Sequence, residues 1–203
     1  FWDLRTGQQT NLLATPPTTG ARCPGFSPDR RWIAVGMKDG TVLIGDLETG
    51  RTTPALLKHA APATCVCFSH DSTLLASGGE DHRVILYDLR QRRVIRTIQA
   101  HTEVVRALAF TTDDRTLVST SLDGTIKFWS VANQQLALTL IHDGGPVTGV
   151  SFTPDGRLMA TSGSDATVRL WPAPTFEEIE AKEKAAHFNA QAQRPGAQKK
   201  TDR

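Results

Sequence analysis

Three sets of residues in this chain have the types that hydrolytic chemistry uses. His59, Ser77 and Asp81 form one, His101, Ser119 and Asp123 a second, and His142, Thr161 and Asp165 a third. A histidine held between a carboxylate and a hydroxyl can draw off the hydroxyl proton and make a nucleophile. Recurrence argues against that use. An active site is a singular constellation facing a cleft with an oxyanion site, whereas these sets return along the chain at nearly constant spacing. No residue is therefore assigned to catalysis. Cys65 and Cys67 are the other candidates for chemistry, but Cys-x-Cys places two thiols on one face of a strand and lacks the usual zinc-ligand spacing. Cys23 lies 42 positions before Cys65. All three are expected to be buried free thiols, with no metal and no cofactor.

The elements that must position these residues repeat as well. Phe26-Ser27-Pro28-Asp29, Phe68-Ser69-His70-Asp71, Phe110-Thr111-Thr112-Asp113 and Phe152-Thr153-Pro154-Asp155 stand 42 residues apart. Asp39-Gly40-Thr41-Val42, Asp81-His82-Arg83-Val84, Asp123-Gly124-Thr125-Ile126 and Asp165-Ala166-Thr167-Val168 keep the same period. A third marker is Tyr87-Asp88, Trp129-Ser130 and Trp171-Pro172, with Gly45-Asp46 in the equivalent place and Trp2-Asp3 before it. Within one period, Val66–Phe68, Leu74–Ser77, Val84–Tyr87 and Val94–Ile98 are short apolar runs. Gly, Asp and Ser clusters separate them, which predicts four antiparallel strands in a meander. No segment inside the repeats has the length and period of a helix. A self-similar unit of about this length signals a repeat architecture.

Phe-Ser-Pro-Asp, Leu-Ala-Ser-Gly, Asp-Gly-Thr and a third-strand Trp together resemble the WD40-repeat β-propeller family. The resemblance implies an all-β propeller of four full four-stranded blades plus part of a fifth. It places the end of a preceding blade at 1–15 and blades at 16–57, 58–99, 100–140 and 141–172, the last without its outer strand. In that family a blade is often locked by a hydrogen-bonded chain from a His before the first strand, through a second-strand Ser or Thr and a turn Asp, to the third-strand Trp. Carried over residue by residue, His101, Ser119, Asp123 and Trp129 make a complete set. His59, Ser77 and Asp81 are joined by Tyr87 in place of Trp. His142, Thr161, Asp165 and Trp171 form a set with one extra residue after the His. The 16–57 blade keeps only Asp39, with Pro17, Val35 and Gly45 at the other positions.

Beyond Pro172-Ala173-Pro174 the composition shifts. Thr175 and Glu178 form a capping box ahead of an Ala-, Glu- and Lys-rich stretch, which predicts a short C-terminal helix over 173–192. Residues 193–203 read as a disordered basic tail. Since the chain starts inside a blade, the expectation is the C-terminal part of a longer array, in which upstream blades close the ring. An isolated piece would carry open strand edges and be prone to aggregate. The Ala-Pro-x-Phe-x-Glu-Ile phrase resembles array ends in bacterial multidomain proteins, where a Ser/Thr protein kinase domain often precedes the propeller. That gives the alternative of a regulatory or sensor segment of a larger enzyme.

Net charge is +2, with both signs interspersed, so no basic surface of nucleic-acid size is implied. No apolar run approaches the length of a membrane span, and a cytoplasmic location is expected. The family resemblance implies a scaffold that binds a protein or peptide partner through rim loops on a rigid frame. Candidate contacts at the tight-turn rim are Lys38, Glu80, Leu122 and Ser164. Arg22, Thr64, Arg106 and Thr148, near the first-strand starts, complete the set. His70 reads as a turn residue.

Overall fold

The computed structural model describes residues 5–8 and 20–172, with the backbone alone for 53–56. Among the described residues, fifteen strands form four antiparallel sheets, each in sequence order. The first sheet holds β1 (Ala21–Phe26), β2 (Trp32–Met37), β3 (Thr41–Asp46) and β4 (Arg51–Lys58). The second holds β5 (Ala63–Phe68), β6 (Leu74–Gly79), β7 (Arg83–Asp88) and β8 (Arg93–Gln99). The third holds β9 (Val105–Phe110), β10 (Thr116–Ser121), β11 (Thr125–Ser130) and β12 (Leu136–Ile141). The fourth holds β13 (Val147–Phe152), β14 (Leu158–Gly163) and β15 (Val168–Pro172).

Successive sheets meet through their first strands, β1 on β5, β5 on β9 and β9 on β13. Each sheet therefore turns the same edge toward a common axis, as propeller blades do. The four first strands begin at Ala21, Ala63, Val105 and Val147, 42 residues apart. Neighbouring sheets cover both faces of the second and third strands. This explains why Leu74–Gly79 and Arg83–Asp88 are buried runs instead of alternating stripes. The outer strand β8 is largely exposed. Three apolar clusters fill the spaces between blades. Leu57 and Val42 meet Phe68 and Leu75, Leu86 and Val84 meet Phe110 and Leu117, and Val118 and Ile126 meet Val147 and Met159.

The tight turns between second and third strands are built alike. The Asp39, Asp81, Asp123 and Asp165 carboxylates each accept the N–H two residues on, an Asx turn. The residue after each Asp takes a left-handed backbone, with φ of 86° at Gly40, 65° at His82, 79° at Gly124 and 61° at Ala166. Glycine adopts that conformation without a Cβ penalty, and His82 and Ala166 do not.

The fourth sheet has three strands among the described residues, which therefore hold three four-stranded blades and one three-stranded blade. Pro172, which lacks a backbone N–H to pair onward, ends β15. The expected helix over 173–192, the tail over 193–203 and most of the 1–15 segment lie outside the described residues. Of that segment, residues 5–8 begin as a turn, with Gly7 at φ 66°.

Candidate functional site

The third blade carries an unbroken polar chain. Trp129 Nε1 donates to Ser119 Oγ at 2.9 Å, Ser119 Oγ lies 2.7 Å from His101 Nε2, and His101 Nδ1 lies 2.9 Å from Asp123 Oδ2. An ionised carboxylate only accepts, so Nδ1 carries the imidazole proton. In neutral His101, Nε2 then accepts from the Ser119 hydroxyl, and every proton in the chain runs one way, from indole to carboxylate. The same carboxylate accepts the Thr102 N–H at 3.1 Å and the Thr125 hydroxyl at 2.7 Å. Burial acts to raise the Asp123 pKa, but the Thr125 and Thr102 hydrogen bonds and the His101 charge outweigh it and bring it down to about 2. Burial lowers the His101 pKa against the pull of Asp123.

The second blade repeats the arrangement without its last link. His59 Nδ1 lies 2.8 Å from Asp81 Oδ1, His59 Nε2 lies 2.9 Å from Ser77 Oγ, and Ala60 N donates to Asp81 Oδ2 at 3.0 Å. Burial again opposes ionisation of Asp81, and the Ala60 and His59 donors lower its pKa regardless. Tyr87 does not belong to this chain. Its ring is buried among Ala34, Leu75 and Leu89. A phenol carries its hydroxyl at the ring tip, whereas an indole carries N–H on the ring edge that faces the second strand. Burial raises the Tyr87 pKa.

The fourth blade departs further. Trp171 Nε1 donates to Thr161 Oγ1 at 2.9 Å, yet His142, buried at 2 % exposure, has no partner at either ring nitrogen among the described residues. His142 therefore does not join Thr161 and Asp165. One extra residue between His142 and β13 explains it. His59 and His101 stand four residues before their first strands, His142 five. The added chain packs Gly144 against Asp165, where a Cβ would collide with Oδ2. The carboxylate instead accepts the Thr167 N–H and hydroxyl and pairs with Arg169 at 3.4 Å. In the first blade Asp39 is exposed and, among the described residues, holds its own turn through the Thr41 N–H.

As chemistry, these sets do not make a nucleophile. The hydroxyls of Ser77 and Ser119 are fully buried, and that of Ser119 is held by an indole as well as an imidazole. Among the described residues no group of three His, Cys, Asp or Glu could hold a metal ion. Cys23, Cys65 and Cys67 are free thiols. Burial pushes Cys65 up to about 12 and raises Cys67 and Cys23, which keeps them protonated and unreactive.

The eight proposed rim residues lie at one end of the sheets. Backbone hydrogen bonds from Lys38, Glu80, Leu122 and Ser164 reach Gly20, Pro62, Val104 and Pro146, just before the first strands. Their surroundings differ. Arg22 pairs with Glu80 at 2.6 Å across the first two blades. The Thr64 hydroxyl donates to the carbonyls of Val105 and Gly78, and that of Thr148 to the carbonyl of Ser162. Lys38 and Ser164 are exposed and Leu122 is half-buried. Arg106 is exposed and makes no hydrogen bond or ion pair among the described residues.

Sequence reasoning missed contacts at the opposite end. Ser72 and Asp114 occupy equivalent left-handed turn positions, with φ of 58° and 56°. Each reaches back to the preceding blade, Ser72 Oγ accepting from Asp29 N and Asp114 from His70 N and Asp71 N. The only sequence signal was the 42-residue register itself.

Two family models match this architecture. Residues 27–126 match the Vps8 beta-propeller and residues 134–172 match the WD domain, G-beta repeat, more than half of the chain between them. The chain belongs to the WD40-repeat β-propeller family. The polar chains described above lie within its second and third blades. No curated protein shows a significant match to the chain. WD40 propellers generally mediate protein–protein interaction and are typically non-catalytic. Among the described residues no helix is long and apolar enough to cross a membrane.

Proposed function

We propose that this chain is a non-catalytic scaffold that holds a protein or peptide partner on the rim carrying Arg106. The contrast between equivalent positions supports the reading. In the second and third blades the His–Asp–Ser residues are buried and saturated with hydrogen bonds, which leaves them nothing to offer a ligand. At the same end of the sheets, Lys38, Glu80, Leu122 and Ser164 differ from blade to blade on an unchanging turn. Arg106, exposed and without an ion pair among the described residues, is the observation that carries the proposal. A guanidinium on a rigid frame is a strong hot-spot candidate. The test is retention of partners by the protein with and without Arg106→Ala. The substitution is expected to weaken retention about tenfold or more while leaving the melting curve in place. Full retention by the variant would exclude this rim as the partner face.

A further inference from the structure

The end of the sheets opposite the rim holds the turns between first and second strands and between third and fourth strands. Where the first two blades meet, these turns line an open groove of about 470 Å³ whose walls include Asp29, Arg31, Trp32, Asp71, Arg90 and Arg92. Equivalent residues in other blades separate what the repeat requires from what is peculiar to this place. The acids are repeat residues, with Asp113 and Asp155 as counterparts. Asp29 Oδ1 accepts from Ser27 Oγ and Arg31 N, and Asp71 Oδ1 from Ser69 Oγ and Thr73 N, so each shapes its own turn. The cations and the indole follow a different pattern. Trp32 corresponds to Leu74, Thr116 and Leu158, Arg90 to Glu48 and Ala132, and Arg92 to Gly50 and Gln134. Arg31 recurs as Arg115 and Arg157, but here its guanidinium lies 5.0 Å from the Trp32 ring centroid and 3.5 Å from Asp46.

Arg90 and Arg92 are exposed and make no hydrogen bond or contact ion pair among the described residues. The Trp32 indole N–H likewise has no partner among them. Arg31 is thus held by Asp46 and the Trp32 ring, while the Arg90 and Arg92 guanidinium groups stand beside two carboxylates already engaged in turns. Guanidinium forks match planar or tetrahedral oxyanions, and the Trp32 indole that shares the lining offers apolar surface to a neighbouring side chain. The groove has the volume of a ligand site. We propose that this groove binds an acidic peptide segment of a partner protein, with its oxyanions on Arg90 and Arg92 and an adjacent apolar side chain on Trp32. This site is separate from the Arg106 rim and does not depend on it.

Fluorescence anisotropy with the full chain tests the assignment. The probes are a labelled peptide rich in Glu and Leu, the same peptide with phosphoserine replacing Glu, and a Lys-rich control. The acidic peptides are expected to bind and the control not to; the tighter of the two acidic peptides identifies the preferred oxyanion. Arg90→Glu with Arg92→Glu should weaken binding about tenfold or more, Arg90→Lys with Arg92→Lys should recover part of it, and Trp32→Leu should weaken it. Arg106→Ala should leave it unchanged, which keeps failure here distinct from failure of the rim proposal. Melting curves of the exposed arginine variants should match the parent, and Arg90→Gln with Arg92→Gln replaces the double reversal if it does not fold. The proposal is overturned if neither acidic peptide binds or if charge reversal leaves binding intact. An RNA oligonucleotide that competes as well as the acidic peptide also overturns it, since that marks a general polyanion surface.

Discussion

Asp114, in the third blade, accepts the backbone N–H of His70 in the second at 2.8 Å, and its Oδ1 lies 2.9 Å from the His70 ring nitrogen Nδ1. Its other oxygen accepts the Asp71 N–H at 2.9 Å. One carboxylate therefore clips two turns of adjacent sheets together. It does so from a left-handed backbone position, where side chains point back toward the preceding blade. Asp114→Ala removes the clip and leaves a Cβ at φ 56°, with an expected cost of about 2 kcal/mol in a urea melt. Asp114→Gly removes the same bonds but relieves the backbone and should cost about 1 kcal/mol. Equal costs for the two would show that backbone strain is not part of the effect.

Ser119 joins two buried donors and acceptors, so its loss strands both. Ser119→Ala should destabilise by about 3 kcal/mol, because Trp129 Nε1 and His101 Nε2 each lose a partner in a site that water does not reach. Tyr87→Phe, at the position where Trp129 stands one blade later, should change stability by less than about 0.5 kcal/mol. A large Tyr87→Phe effect in thermal melts would return the phenol to the polar chain.

Asp123 and His101 make the third blade acid-sensitive over two intervals. The folded Asp123 pKa, about 2, lies below its ordinary 3.8. Its stabilisation is present above the ordinary value and is lost as pH falls from about 4 toward 2. Partial solvent screening holds the amount to about 1–2 kcal/mol. His101 is also shifted downward, from 6.5. The unfolded chain then binds its proton first as pH falls below 6.5, and stability declines there too. Denaturant midpoints measured against pH should fall on the acid side, and Asp123→Asn should flatten the lowest limb. An identical acid limb in Asp123→Asn would remove Asp123 from the account.

The period, the strands and the blade class were legible because each depends on local pattern. Short β-branched runs and Asp turns repeat whether or not the sheets are seen together. Contacts between blades were not legible. Nothing around His70 says that a residue 44 positions later closes on it, and Arg22 with Glu80 is a pair of the same kind. Tyr87 shows a subtler limit, since substitution by another buried aromatic preserved the packing but moved the polar atom from ring edge to ring tip. For His142 the extra residue was visible, but its consequence for the ring required the position of Gly144.

That consequence yields the last prediction. His142 has the right identity and burial for a lock and the wrong chain length after it. Deleting Gly144 restores the four-residue step that His59 and His101 keep, and takes away the backbone now packed on Asp165. The turn ahead of β13 can then present a backbone N–H to the carboxylate, as Ala60 and Thr102 do. His142 can reach Asp165 through Nδ1 and Thr161 through Nε2, while Trp171 already occupies its place on Thr161. Two buried nitrogens without partners would gain them, and the variant is expected to be more stable by about 1–3 kcal/mol. Nitrogen chemical shifts of the His142 ring should report a single tautomer protonated at Nδ1, as the third blade's geometry requires of His101. A lower melting temperature with unchanged ring shifts would show that the longer turn is not what separates His142 from its partners.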